Sequence, residues 1–158
     1  MEQRVRVKGD LGLGEFQRAV AHAGVLVPSV SRWSVGMHVH HCCLAMTNVC
    51  RALRQSTPPP PRAGISPVRW LVFLTGWIPR GRGKAPDIAL PSETISPPEL
   101  ERMLGESERA LSGVPDLDPQ SWFSHFVFGP LNRDKTLRFL QIHNRHHLRI
   151  IADILAAA

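Results

Sequence analysis

Four consecutive prolines, Pro58 to Pro61, stand just after the longest regular apolar pattern in the chain. Val35, Val39, Cys42, Met46, Val49 and Leu53 recur at steps of three and four residues, one stripe of an α-helix running from about Ser34 to Gln55. Ser34 is suited to cap it, because a serine hydroxyl accepts from an unpaired N–H of the first turn. Proline lacks the N–H and its ring clashes with the preceding turn, so this helix stops at "STPPPP". The partners of its stripe must come from other segments.

Most of the fourteen prolines fall between Thr57 and Pro98. This segment reads as one long connection, broken by an apolar piece, "VRWLVFLTGW", that can be a short helix or a strand packed on the main body. A connection of this length inside a compact domain is often functional. Further helices are expected over residues 12–22, ending at Gly24, and over 96–113, opened by Ser96 or Pro97 and closed by Gly113. A final helix follows Asn132, with Leu137, Leu140, Ile150, Ile151 and Ile154 turned inward. Residues 1–9 read as a mobile arm, and "VPDLDPQSWFSHFVFGPLNRDK" as irregular. With no convincing run of strands, the expectation is an all-α antiparallel four-helix bundle with one long crossover between its second and third helices. A chain of 158 residues with 43 % apolar content supports a single domain with a real core.

Composition also narrows the partners. The formal charge is +6 and the isoelectric point near 10.2, yet the basic residues are dispersed. Their densest run, "PRGRGK", lacks interleaved aromatics or zinc-finger spacing, so nucleic acid is not the expected partner. The apolar runs are shorter than a membrane span needs, and no membrane partner is expected. The opening "MEQRVRVKGD" lacks the apolar core of a secretory signal, and Cys42, Cys43 and Cys50 form no spaced framework. Both point to the cytoplasm with reduced thiols.

The histidines carry the chemistry. His143 and His147 are four apart on the final helix, stacked on its apolar face, whereas His146 points elsewhere. Buried imidazoles are costly unless hydrogen-bonded or metal-bound. The second helix offers His38, His40 and His41. His41 is the first choice for a third ligand and His38 the second, with small Ala45 leaving room one turn on. Three histidines with an open position match a catalytic zinc site, or nickel or iron in similar geometry. The alternative is a hydrogen-bonded cluster without metal. The pattern lacks the glutamate of HExxH, so a zincin mechanism is not supported. Cys42 reads as a small buried hydrophobe. Trp33, Trp70, Trp77 and Trp122 read mostly as core or pocket wall.

Three pieces resemble the DinB-like superfamily, also called the YfiT-like metal-dependent hydrolases. They are "WSVGMHVHHCCLAM" (33–46), "GKAP" (83–86) and "HFVFGPLNRDKTLRFLQIHNRHHLRII" (125–151). The likeness spans about residues 10–155 and is nearest to a branch of uncharacterised function. It implies an up-down-down-up bundle, metal ligands at His41, His143 and His147, and a homodimer. It places His125 near the site mouth, as a proton-transfer group or as a turn residue before Gly129. Two positions depart from the family pattern: Ile150 replaces a glutamine and Phe126 a proline. The resemblance implies a divalent metal, zinc or nickel, acting on an unknown small molecule. The reaction is then hydrolysis by bound water or transfer of a low-molecular-weight thiol whose carboxylates Arg80 and Arg82 can hold. A solvated loop is the plain alternative for those arginines. A non-catalytic metal- or ligand-binding protein, with a stress-related role, is the alternative to an enzyme.

Overall fold

The computed structural model describes residues 10–81 and 83–158. The expected arm over residues 1–9, and Arg82, lie outside the described residues.

The expected second helix is α2, Val35–Gln55, after α1, Leu13–Ala19, and a 3-10 turn, Val20–His22. Ser34 caps α2 by accepting from the Met37 N–H at 3.2 Å. The apolar piece of the crossover resolves as a helix, α3, Pro67–Thr75. Ser66 accepts from Arg69 N–H at its start, Pro67 fits the first turn, and Gly76 ends it with a φ of 64°. A 3-10 turn, Asp87–Ala89, precedes α4, Pro97–Ser112. At the start of α4, Ser96 and Glu99 each bond the other's backbone N–H in a reciprocal capping box. The last helix, α5, Arg133–Ala157, starts at Asn132, whose side chain accepts from Lys135 N–H at 3.0 Å.

One expectation is corrected. The stretch before α5 is not wholly irregular: β1, Trp122–His125, pairs antiparallel with β2, Gly129–Asn132. Trp122 faces Asn132 and His125 faces Gly129. Each strand is four residues, too short for a clear period-two signal. The turn is held by His125, whose Nδ1 accepts from the N–H groups of Val127 and Phe128, both at 3.1 Å. The described residues thus form a mostly helical domain of five helices with one small two-stranded sheet.

Helix α2 packs against both α4 and α5. Val39, Cys42, Met46 and Leu53 of α2 are fully buried with Phe16 of α1, Leu100 of α4, and Leu140 and Ile154 of α5. Gly36 allows the preceding loop to lie directly on α2. A Cβ there would sit 2.9 Å from the Ala23 carbonyl oxygen, which accepts from Gly36 N–H at 2.8 Å. That contact fixes the loop carrying Ser31 and Trp33. Trp70 and Trp77 are exposed rather than core or pocket wall, because only Val72 of α3 is fully buried against the body.

Candidate metal centre

Position 38 of α2 meets position 147 of α5, and position 41 meets position 143. Rising numbers on one helix meet falling numbers on the other, so the two run antiparallel. Four-residue spacing puts His143 and His147 one above the other, facing α2. His41, His143 and His147 offer ligand atoms all within 4.8 Å of one another. No carboxylate or thiol joins this cluster among the described residues.

The protonation of two rings follows from their partners. His41 Nδ1 lies 2.6 Å from the carbonyl oxygen of Ala89. A carbonyl only accepts, so His41 Nδ1 carries the hydrogen and Nε2 is a bare lone pair. His143 Nδ1 lies 3.4 Å from Asn144 Oδ1. The Asn144 orientation is fixed, because its Nδ2 donates to the Leu11 carbonyl at 2.9 Å and to Met46 Sδ at 3.3 Å. Oδ1 is therefore an acceptor, and the arrangement that satisfies it also leaves His143 Nε2 bare. These two Nε2 atoms stand 3.0 Å apart. Every buried side-chain nitrogen and oxygen among the described residues has a polar neighbour; with His143 in this tautomer, the neighbours here are two lone pairs.

A cation between or beside them satisfies both lone pairs; the other His143 tautomer, which gives up the long contact to Asn144, instead makes an Nε2–H···Nε2 hydrogen bond. A proton is disfavoured. Burial, then the neighbouring His41, pushes His143 down to about 3. Burial, then the surrounding histidines, holds His147 well below the ordinary value. Burial lowers His41, partly offset by the Ala89 carbonyl. All three rings are neutral at physiological pH, the form that binds a metal.

His38, the second choice for a ligand, lies behind the trio. Its Nδ1 is 2.9 Å from His147 Nδ1, and its Nε2 is 3.0 Å from Ser31 Oγ. That pairing leaves His147 Nε2 to face His41 and His143. Metal-binding imidazoles are commonly held this way through their second nitrogen. Trp33 covers the cluster, with ring centroids 5.1 Å from His41 and 5.4 Å from His38. His40 and His146 are rotated away. His40 accepts from Ser92 N–H at 2.9 Å, and His146 faces the Ile78 carbonyl and Arg80.

His125 is one aromatic ring removed. It stacks on Phe128 at 4.3 Å and meets Phe139 edge-on at 4.7 Å, and Phe139 in turn lies 5.5 Å from His143. Because its Nδ1 accepts two N–H groups, the neutral ring carries its hydrogen on Nε2. Burial pushes it down to about 4.

The cysteines take no part. All three are buried free thiols, and burial pushes Cys43 up to about 12, Cys50 to about 11 and Cys42 well above its ordinary value. Arg80 folds back to α5 and pairs with Asp153 at 2.7 Å. Asp116 and Asp118 stay in an exposed turn, where Asp118 accepts from Gln120 N–H at 2.7 Å. Sequence reasoning missed Ser31, Asn144 and the Ala89 carbonyl. Asn144 had a signal, a polar residue between inward-facing positions. A backbone carbonyl from a distant loop has none.

Comparison of the chain with protein-family models, curated proteins and solved structures gives no match. The DinB-like likeness therefore rests on the residues quoted above.

Proposed function

We propose that this chain is a metal-dependent enzyme in which His41, His143 and His147 hold a divalent transition metal, zinc or nickel, with one position open. The observation that carries the reading is that His41, His143 and His147 bring ligand nitrogens within 4.8 Å of one another, with the Nε2 atoms of His41 and His143 3.0 Å apart. A three-histidine set is a normal donor set for such an ion. Bound there, the metal supplies Lewis acidity that lowers the pKa of a coordinated water or thiol.

The chain's own residues would then act as follows. The Ala89 carbonyl, Asn144 and the Ser31–His38 pair orient the three rings. Trp33 shields the cluster from bulk water. His125 offers Nε2–H as a hydrogen-bond donor beyond Phe139. Arg80, held over α5 by Asp153, supplies a charge for a substrate carboxylate. The same reading includes the up-down-down-up bundle and the homodimer implied by the DinB-like resemblance, and the cytoplasmic location to which the opening residues and the cysteines point. Hydrolysis of a small molecule and transfer of a low-molecular-weight thiol are its two reaction classes.

The test is elemental mass spectrometry on untagged protein, with His41→Ala and His143→Ala/His147→Ala alongside. Near-stoichiometric zinc, nickel or iron, lost in both variants, supports the site. No metal in the parent, and none taken up on titration, overturns it. Cobalt(II) substitution separates enzyme from structural site: an absorption spectrum that shifts on adding a small thiol requires an open position. A spectrum that does not respond favours a closed site in a binding protein.

A further inference from the structure

The outward face of α3 is apolar where a helix on a wet surface is normally polar. Val72 packs inward, with Arg69 and Phe73 half-buried beside it. Ile65, Val68, Trp70, Leu71, Leu74 and Trp77 are all exposed, Trp70 at 72 % and Leu74 at 83 %. The hairpin tip continues this surface. Phe126 and Val127 are exposed, and Ser66 Oγ–H and the Arg69 guanidinium donate to the carbonyls of Val127 (3.5 Å) and Phe128 (3.1 Å). Single exposed apolar side chains are ordinary, but this many on two joined elements mark an interaction surface.

Charge selects the partner. From Ser56 to Pro86 the sequence contains no aspartate or glutamate, but it contains Arg62, Arg69, Arg80, Arg82 and Lys84. Arg62 and Lys84 are exposed and make no ion pair among the described residues. Two copies apposed through this face would set cations against cations, with no acidic residue in the segment to meet them. An anionic lipid surface matches both features. Tryptophan and leucine enter the headgroup boundary, and arginine and lysine meet the phosphates. Span length led to the expectation of no membrane partner, and no helix among the described residues is long and apolar enough to cross a membrane. A short helix lying in the interface needs no span.

We propose that α3 and the hairpin tip dock this protein reversibly on an anionic membrane surface. The full chain is mixed with sedimentable vesicles of phosphatidylglycerol and phosphatidylcholine, or of phosphatidylcholine alone. The expected result is co-sedimentation with the anionic vesicles and partitioning about 25-fold weaker to the neutral ones. Trp70→Ser/Leu74→Ser, shown folded by circular dichroism, loses about tenfold or more in partitioning, as expected for removing two large apolar anchors. Arg62→Gln and Lys84→Gln each cost roughly fivefold. Folded parent protein that stays in the supernatant overturns the proposal. So does binding that the Trp70/Leu74 variant retains in full, which would be charge attraction without a docking face. A dimer that the same variant dissolves, in a parent that ignores lipid, would assign the face to a second copy instead.

Discussion

Acidification from pH 7 to pH 5, with a chelator present, tests whether the histidine cluster is held neutral by the fold. Burial lowers His38 to about 4 and His143 to about 3, each from 6.5. In the unfolded chain both rings are solvated and protonate near about 6.5. Between those values the unfolded state binds protons that the folded state excludes. Stability is therefore highest above about pH 7 and falls as pH drops through 6.5. It goes on falling until the folded rings themselves protonate, near about 4 for His38 and about 3 for His143. Over the two units from pH 7 to pH 5 each ring contributes about 2 kcal/mol, so the pair contributes about 4 kcal/mol. His147 pushes in the same direction. That is a large share of the ~5–15 kcal/mol that holds a typical domain together. The assay is urea unfolding followed by far-ultraviolet circular dichroism at the two pH values. With a slope of about 2 kcal/mol per molar, the midpoint is expected to fall by at least about 2 M. The chelator is needed because a metal competes with protons for the same nitrogens. His38→Gln/His143→Gln should take about 2 M out of the shift and leave the part that His125, His146 and His147 add. A parent midpoint that is the same at both pH values would refute burial of neutral rings.

Three further outcomes follow from particular contacts. His38→Ala should weaken metal binding by about 10–100-fold without abolishing it, because His38 only orients His147. His41→Ala should abolish it, and competition against a chelating dye reads both; equal losses would make His38 a ligand. Asn144→Leu removes the bond to the Leu11 carbonyl and the acceptor for His143 Nδ1. It should cost about 1–3 kcal/mol in urea unfolding as well as metal affinity, and unchanged stability would count against this buried bond. Gly36→Ala places a methyl 2.9 Å from the Ala23 carbonyl oxygen. It should cost about 1–3 kcal/mol, and a midpoint equal to the parent's would mean that the loop shifts freely.

The helices were legible where local chemistry and periodicity agree. Ser34 and the stripe from Val35 to Leu53 specify α2, and Ser96 with Glu99 specifies the start of α4. Asn132 marks the start of α5 for the same reason. The hairpin was not legible, because its register depends on His125 capping the turn and on Gly129 at a φ of 69° rather than on alternation. The three histidines were legible as a cluster from their spacing on α5 and their place beside the stripe of α2. The choice of His41 over His38 came from the resemblance and from face geometry. What separates them physically is the partner of each second nitrogen. His41 meets a carbonyl from residue 89, and His38 meets another imidazole and a serine. Nothing within a helical turn of either residue encodes that difference.

The crossover explains its own length by what it delivers. After the prolines end α2, the chain places α3 on α5, brings Arg80 to Asp153, and returns to α2 at the turn Asp87–Ala89. Only then does the Ala89 carbonyl reach His41. Thr47 of α2 meets Ser107 of α4, and Arg54 further along meets Ala110, so the two helices run parallel and any link must return along the length of α2 before α4 can start. A return that bypassed α2 at Ala89 would leave His41 Nδ1 without its acceptor, and either ring nitrogen could then carry the hydrogen. The tautomer that turns the His41 lone pair toward His143 would no longer be imposed. The segment with the weakest helical signal in the sequence thus sets the chemistry of the strongest helix.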